Sequence, residues 1–322
     1  MKHQLNNREK ISFLKYYYTD WQYRKLYQRI KGTKLRSRKY AGTRVLYPAD
    51  GNQKLKQMIE SGESFMAGRF GSIELSVAAE ILRSQCLRKK YDMNRLKDLN
   101  RNAGFTESRE EDYAAFADIM LDAASECDLM GVWYNQMEDW ICRHYMKKET
   151  ILTDRSVYDF WNYEEPFTMA LKGKQVLVIH PFEQSIIQQY ARREQLFPGR
   201  DTLPEFELRT LKAVQTIGNQ KDERFSTWFE ALDYMYQEAM KKEFDIAIIG
   251  CGAYGFPLAA QIKRAGKAAI HMGGVTQMLF GIKGRRWDQE QGVSDIYNES
   301  WVYPDEKERP QNFEAVEGGC YW

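Results

Sequence analysis

Short apolar runs alternate with amphipathic segments along most of this 322-residue chain. Gln175–Ile179 and Asp245–Ile249 consist mainly of Val, Leu, Ile and Ala. They are too short for a stable helix, which predicts strands buried on both faces. Segments 73–82 and 229–240 instead repeat apolar residues at helical spacing. Strands alternating with helices predict an α/β fold, with a single Rossmann-like domain, a mostly parallel sheet and helices on both faces.

The remaining apolar and amphipathic segments continue this alternation of strands and helices. They predict further strands at 64–67, 128–134, 211–217 and 268–271, and helices at 55–59, from Ser72, from Ser108, at 183–197 and from Ser226. Residues 85–105 are charged and poorly periodic, so we expect them at the surface, and 140–161 is ambiguous. No repeat or low-complexity linker is visible, so we expect an arm over residues 1–45, one domain over 46–290 and a tail over 291–322.

The most informative stretch runs from Phe244 to Gly274. Gly250, Gly252 and Gly255 directly follow its first strand, and Pro257 then opens an amphipathic helix that leads to a second strand. Such a glycine loop and helix N-terminus present backbone N–H groups and the positive end of a helix dipole. The stretch therefore predicts an anion site, most plausibly for a phosphate.

The segment Gly250–Gly255 also matches GxGxxG, a dinucleotide fingerprint that is weak evidence alone. The next strand ends at His271 without the Asp or Glu that would bind a ribose, and about 50 residues follow, too few for the second half of an NAD fold. An NAD- or adenosylmethionine-dependent enzyme remains an alternative. So does a purely structural tight turn.

Unusual residues cluster where predicted strands end. These positions are 69–74, 180–185, 250–255 and 271–274, and two of the four histidines in the chain fall directly at strand ends. Ligands of open parallel sheets bind beyond the carboxyl ends of the strands. We therefore expect these segments to meet in one site.

The first of these segments reads Arg69-Phe70-Gly71-Ser72-Ile73-Glu74. Arg69 could clamp phosphate oxygens, and Gly71 permits close approach of the backbone. Ser72 is a plausible helix N-cap, and Glu74 could ligate a metal or hold a sugar hydroxyl. A carboxylate in a first helical turn is also stabilised by the dipole alone, so a structural role for Glu74 stays open.

RFGSIE after a strand resembles the RFGDGE signature of the GT-D class of glycosyltransferases, described from bacterial glycan assembly. The resemblance covers roughly residues 50–290 and includes the C-terminal glycine loop. It implies a nucleotide-sugar donor, with a UDP-sugar favoured, a glycan or lipid-linked acceptor, and a divalent Mn or Mg ion. Arg69, Gly71 and Glu74 match the signature, but Ser72 stands where the family has an aspartate, which puts the metal in doubt.

The resemblance also implies roles for the other strand-end residues. Arg69, His180 and the 250–255 amides would neutralise the diphosphate leaving group. The remaining residues predicted to bind the nucleotide-sugar are Gly71, Ser72, Ser185, Tyr254, His271 and Gly273, although His271 could instead be an ordinary strand-end histidine. Asp154 is a candidate general base, with a plain ion pair to Arg155 as the alternative.

The charge of the chain is unevenly distributed. Residues 1–40 hold twelve Lys and Arg against Glu9 and Asp20, a balance of +10 that leaves −8 on the remaining residues, since the total is +2. With its many aromatic residues, this arm fits an interfacial helix on an anionic membrane. A helix packed on the protein body by the same aromatics is the alternative. We expect no nucleic-acid binding, because the body is acidic and shows no binding module.

Other features suggest the compartment. No apolar run approaches the ~20 residues of a membrane helix, and the polar first ten residues are unlike a signal peptide. Five scattered cysteines without a CxxC pair favour reduced thiols. We expect a cytoplasmic protein, peripheral at the inner face of the membrane. Besides an NAD- or adenosylmethionine-dependent enzyme, the other alternative to a glycosyltransferase is a non-catalytic partner protein that binds a nucleotide-sugar.

Overall fold

The computed structural model describes residues 4–288, 290, 292–316 and 318–322. Within them one sheet contains nine strands, β1 Lys39–Tyr40, β2 Thr43–Leu46, β3 Met66–Gly68, β4 Leu129–Val132, β5 Ile151–Asp154, β6 Gln175–His180, β7 Glu207–Lys212, β8 Ile246–Ile249 and β9 Ala268–His271. The strand order is β1-β2-β5-β4-β3-β9-β8-β6-β7. Every pairing is parallel except that of β1 with β2. The α/β class with a mostly parallel sheet is confirmed.

Helices surround this sheet. They are α1 Asn7–Lys15, α2 Trp21–Lys31, α3 Pro48–Ser61, α4 Ser72–Leu87, α5 Met93–Ala103, α6 Glu110–Ala124, α7 Glu138–Tyr145, α8 Glu183–Tyr190, α9 Arg193–Leu196, α10 Trp228–Met240, α11 Gly255–Arg264, α12 Val275–Leu279 and α13 Arg285–Asp288. A π-helical turn, Tyr16–Asp20, joins α1 to α2. No helix among the described residues is long and apolar enough to cross a membrane.

Both faces of the sheet are covered by apolar packing. In β8 all four residues are buried, and Ile246 and Ile248 belong to one core while Ala247 and Ile249 belong to the other. Successive side chains of a strand point to opposite faces, so a strand covered on both sides must be apolar throughout. This confirms the interpretation of the short apolar runs.

Two predicted elements lie elsewhere. The strand expected at 211–217 is β7, which pairs with β6 from Glu207 to Lys212. As the last strand of the sheet it has only one neighbour, and its residues are mostly half-buried or exposed. The apolar run that suggested a strand continues beyond it as a loop. The single helix expected at 183–197 is two shorter helices, α8 and α9.

The expectation that residues 85–105 lie at the surface is wrong. They contain the end of α4 and all of α5, in which Leu96 and Leu99 are fully buried, and Phe105 after the helix is buried as well. Leu96, Leu99 and Ala103 follow helical spacing and suffice to pack this helix, although charged residues surround them in the sequence. The ambiguous region 140–161 contains α7 and β5.

The two ends of the chain pack on this body. Phe13 of α1 is fully buried, and its ring meets that of Trp140 edge-on at 4.9 Å. Beyond α13, Trp301, Val316 and Trp322 are buried in the core on one face of the sheet. The irregular tail therefore forms part of the hydrophobic core.

Candidate functional site

Neighbouring parallel strands end together at one edge of the sheet. Gly68 of β3 is in register with His271 of β9, which is in register with Ile249 of β8, which in turn pairs with Ile179 of β6. Adjacent strands lie about 4.8 Å apart, so the ends of β3 and β8 are separated by roughly 10 Å. Segments distant in the sequence therefore converge here.

A cavity of about 450 Å³ opens at this edge. It brings together ten of the sequence-predicted site residues, Arg69, Gly71, Ser72, Glu74, His180, Gly250, Gly252, Tyr254, His271 and Gly273. Residues that sequence reasoning did not assign to the site also line it, including Arg155, Arg286, Trp287, Tyr321 and Trp322. The cavity is of ordinary size for a small-molecule site.

Arg69 follows β3 and is held by the backbone of the β9 loop. Its Nε donates to the Met272 carbonyl at 3.3 Å. A side-chain carbon built on Gly273 would lie 2.3 Å from the Arg69 guanidinium, and Gly273 has a φ of +64°, so only glycine fits at this position. Burial lowers the pKa of Arg69. The guanidinium is therefore fixed and partly stripped of water before any anion arrives.

Two guanidiniums lie close to the ring of Trp133, which follows β4. The Arg69 carbon Cζ is 5.1 Å from the ring centroid, and that of Arg155 is 5.0 Å away. Both distances are within cation–π range. Trp133 is half-buried and lines the cavity.

A fully buried carboxylate, Glu138, positions the loop that carries Trp133. The backbone N–H groups of Trp133 and Asn135 donate to it at 3.0 and 3.1 Å, and the Tyr40 hydroxyl donates at 3.1 Å. Burial raises the pKa of Glu138 to about 7, although these hydrogen bonds favour the charged form and oppose the rise. The buried Glu138 carboxylate therefore holds the backbone of this loop in place.

Glu74 folds back over the first turn of its own helix. The N-cap of α4 is Gly71 and its first residue is Ser72, so the predicted Ser72 cap is wrong by one residue. A side-chain carbon on Gly71 would lie 1.8 Å from Glu74 Oε2. The glycine is therefore required by the carboxylate that sits against it. Glu74 is buried and lines the cavity.

The glycine loop after β8 divides into two parts. Gly250 and Gly252 line the cavity, and Gly252 has a φ of +58°. Gly255, which was predicted to bind the nucleotide, does not line the cavity. A side-chain carbon there would lie 2.3 Å from Nδ1 of His271, so this glycine allows α11 to pack against β9. α11 begins at Gly255, two residues before Pro257.

Both strand-end histidines are buried and neutral. Burial lowers the pKa of His180 and of His271 to about 3. The Phe182 N–H donates to His180 Nδ1 at 3.0 Å, so the ring proton of His180 resides on Nε2. His271 is hydrogen-bonded to the Ile249 backbone, while its Nδ1 has no partner among the described residues.

The structure does not bring Asp154 or Ser185 into the cavity. Asp154 ends β5, accepts from the Ser156 backbone and hydroxyl, and forms an ion pair with Arg36 at 3.4 Å. The Ser185 hydroxyl instead donates to the carboxylate of Glu308 in the tail. Both side chains are thus engaged by structural partners.

The tail supplies the opposite wall of the cavity. Arg286 of α13 lies over the Tyr321 ring, 4.8 Å from its centroid, and its Nη1 donates to the Tyr321 hydroxyl at 3.1 Å. Gly274 of the β9 loop provides room for this ring, since a side-chain carbon there would lie 2.6 Å from it. In the sequence, the cluster of arginine and tryptophan at 285–287 is the signal that could have indicated this wall.

The acidic groups at the cavity do not fit a metal site. Glu74 and Glu290 line it, facing the guanidiniums of Arg69, Arg155 and Arg286. Among the residues that the structure describes, no three His, Cys, Asp or Glu side chains are grouped to hold a metal ion. Mg²⁺ and Mn²⁺ favour oxygen ligands, and this set of donors is predominantly cationic.

A second cavity, of about 550 Å³, adjoins the first, and Pro181 and Gln215 line both. Three lysines line it, Lys212, Lys242 and Lys307, and none has an ion-pair partner within the described part of the chain. Its carboxylates are Glu183, Asp222 and Glu308. Asp222 binds Arg224 and Glu308 accepts from the start of α8.

Comparison with known proteins yields few matches. No protein-family model matches this sequence, and neither does any curated protein. Two solved structures are similar to this chain at 12 % identity, over 84 % of this chain and 94 % of theirs. One, with a TM-score of 0.45, is described as "the highly conserved domain of unknown function 1792", which "has a distinct glycosyltransferase fold". The other, with a TM-score of 0.44, is a selenomethionine-substituted structure of the same domain.

Proposed function

We propose that this protein is a glycosyltransferase that binds the diphosphate of a nucleotide-sugar in the cavity at the carboxyl edge of its sheet. One observation carries the proposal. The arginine of the RFGSIE segment and the glycine loop after β8 line the same cavity, and Arg155 and Arg286 line it as well. Guanidiniums and free backbone N–H groups are the donors that bind phosphate oxygens most strongly.

The reaction places its largest charge on this diphosphate. A bond forms between the acceptor oxygen and the anomeric carbon, and the bond from that carbon to the phosphate oxygen breaks. The diphosphate leaves with the electron pair, and the acceptor proton passes to a base. Arg69, Arg155 and the Nε2–H of His180 stabilise the charge on the leaving group, and preorganised donors of this kind usually make a large contribution to catalysis.

The aromatic and acidic groups complete the assignment. Trp133 offers a flat apolar face to a sugar ring or a base, beside the guanidiniums that bind the diphosphate. Glu74 is the buried carboxylate of the cavity, and we assign it to the acceptor or donor hydroxyl. Because Asp154 is outside the cavity, it is no longer the preferred base.

We propose that transfer proceeds without a resident metal ion. In this assignment three arginines take the place of the divalent cation that the resemblance implies. A second possibility, in which the protein binds a nucleotide-sugar without turnover, is favoured by one observation, the serine at position 72 where the family has an aspartate. Binding without transfer to any acceptor would support this second possibility.

We place the acceptor in the second cavity. It shares Pro181 and Gln215 with the first cavity, so a group bound there can reach the donor. Its unpaired lysines favour an acceptor that carries phosphate or carboxylate groups, as a lipid-linked glycan does.

A thermal-shift comparison tests the proposal. UDP or another nucleoside diphosphate should raise the melting temperature, because a ligand that binds only the folded state stabilises it. EDTA should leave this shift unchanged. Stabilisation by NAD or adenosylmethionine, with none by any nucleoside diphosphate, would show that the glycine loop serves a different cofactor.

Glu74→Gln gives the corresponding test of chemistry. The amide keeps the shape of the side chain and its fit against Gly71, so the melting temperature should change little. If Glu74 accepts the proton of the acceptor hydroxyl, as a general base, transfer should nevertheless fall by about 100-fold or more. Full activity in this variant would remove Glu74 from the mechanism.

A further inference from the structure

We propose that the N-terminal helical segment, residues 7–31, binds an anionic lipid surface through the face that it turns away from the body. One face of this segment is already occupied. Phe13 and Tyr17 are buried against the body, and Arg24 forms ion pairs with Asp20 and, at 3.6 Å, with Asp139. The segment is therefore firmly attached along that side.

The opposite face is apolar and exposed. Ile11 lies two residues before Phe13, about 200° away around an α-helix. The exposed fractions are 69 % for Ile11, 58 % for Tyr23, 56 % for Leu26 and 68 % for Ile30. Tyr23, Leu26 and Ile30 follow the spacing of one helix face, and α2 contains no buried residue.

This exposure is concentrated in one place. Among the described residues eight large apolar side chains are exposed, and five of them, including Tyr18, lie between positions 11 and 30. Scattered exposed apolar residues are normal, but a contiguous set marks an interaction surface. The composition of the surrounding surface identifies the partner.

Basic side chains flank the apolar face. Lys15, Lys25, Arg29 and Lys31 are exposed, whereas the two carboxylates of the arm are engaged, Asp20 by Arg24 and Glu9 by the helix N-cap. An amphipathic helix with apolar and cationic groups together binds the interface of an anionic membrane. Each cation near such a surface strengthens binding by about fivefold. The net −8 of the body would keep the rest of the protein off the lipid.

The arm also contacts the candidate site. Directly after α2, Lys34 Nζ donates to the Asn135 side chain at 2.8 Å and to the Trp133 carbonyl at 3.3 Å, and Arg36 pairs with Asp154. A lipid surface bound along residues 11–30 would therefore lie beside the loop that carries Trp133.

Flotation of the full-length protein with vesicles tests the proposal. The wild type should bind vesicles of an equal mixture of phosphatidylcholine and phosphatidylglycerol, and bind pure phosphatidylcholine at least tenfold more weakly. Ile30→Glu should reduce binding to the anionic vesicles by roughly tenfold, because it loses apolar contact and adds repulsion. Ile187→Glu is the matched control, since Ile187 is 41 % exposed on α8 and should have no effect.

Several outcomes would overturn the proposal. They are equal binding by the wild type and Ile30→Glu, equal loss in the Ile187→Glu control, and failure of the wild type to bind anionic vesicles. If Ile30→Glu instead converts a dimer into a monomer in sedimentation velocity without vesicles, the face is a self-association surface. Vesicle binding needs no nucleotide and the nucleotide thermal shift needs no vesicle, so this proposal and the proposed function can fail separately.

Discussion

The two walls of the cavity are built in different ways. On one side Arg69, Gly250 and His271 stand at the ends of parallel strands, where backbone pairing sets their positions. On the other side Tyr321 belongs to a tail held by packing of tryptophans into the core, and Arg286 of α13 is hydrogen-bonded to this tyrosine. The sheet edge can be inferred from local patterns, whereas the tail wall depends on contacts between distant residues.

This contrast suggests that the sheet edge carries the chemistry and that the tail adjusts affinity. Arg69 is immobilised by the β9 loop and partly dehydrated, so its charge acts at close range. Arg286 is hydrogen-bonded to Tyr321 and lies on a short helix at the cavity wall. Variants on the two walls should therefore differ in the size and the type of their effects.

Replacement of Arg69 should have the largest effect. We expect Arg69→Ala to lower kcat/KM for transfer by roughly 100- to 1,000-fold, the cost of removing a preorganised charge from the leaving group. Arg69→Lys should recover part of this, since a lysine keeps the charge but not the planar fork. Steady-state kinetics with a nucleotide-sugar donor measures both variants. Unchanged kcat/KM in Arg69→Ala would disprove the central role of the sheet edge.

Gly273→Ala should weaken nucleotide binding by displacing Arg69. A methyl group at this position would displace the Arg69 guanidinium, so we expect affinity for a nucleoside diphosphate to fall roughly 10- to 100-fold by calorimetry. Gly266→Ala is the matched control. It has a similar positive φ but open space around it, so both variants should lose about 1–3 kcal/mol of stability and only Gly273→Ala should lose affinity.

Arg286→Ala should weaken binding less, by about tenfold, as expected for one charge-assisted hydrogen bond. Arg285→Ala tests whether this reflects position or total charge, because Arg285 lies over Phe313 and does not line the cavity. Affinities measured by calorimetry should differ between the two variants. A larger loss in Arg286→Ala than in Arg69→Ala would reverse the proposed ranking of the walls.

The smallest effect concerns pH. The pKa of His271 is lowered to about 3 by burial, so the unfolded chain takes up its proton first as the pH falls. Its contribution to stability is complete above pH 6.5 and declines as the pH falls from about 6.5 toward 3. His271→Gln should remove on the order of 1–2 kcal/mol of the stability difference between pH 7 and pH 5 in urea titrations.

His144→Gln is the control for this measurement, since His144 is exposed and stacks on Trp140 outside the cavity. Burial raises the pKa of Glu138 to about 7 and of Asp159 to about 6, so these carboxyl groups have the opposite pH dependence. They are present in every variant and cancel in the comparison. An identical pH slope in wild type and His271→Gln would contradict the burial of a neutral histidine.

Sequence patterns predicted the sheet edge because its information is local. A short apolar run such as Ile246–Ile249 identifies a buried strand, and the residue after it must lie at the strand end. The same reasoning placed Gly255 and Ser185 in the site, but neither lines the cavity. The room that Gly255 leaves for His271, and the bond from Ser185 to Glu308, depend on residues far away in the chain.

Contacts of this kind also explain the other errors. α5 was missed because its apolar residues are few, although Leu96 and Leu99 are completely enclosed. The strands β2 and β5 were not predicted. Each is only four residues long, and the two pair with one another. Such elements acquire their structure from the neighbours that they pack against, and a single sequence does not specify which neighbours those are.

The loop that carries Trp133 has a consequence for ligand recognition. Two of its backbone N–H groups are bonded to one enclosed carboxylate, so the backbone cannot shift without breaking both bonds, and the guanidiniums of Arg69 and Arg155 restrain the indole itself. Because the loop and its indole are already ordered in the folded protein, ligand binding costs little further conformational entropy there. A ligand that matches the indole should bind with little reorganisation, and a poor match should be rejected because the ring does not adapt.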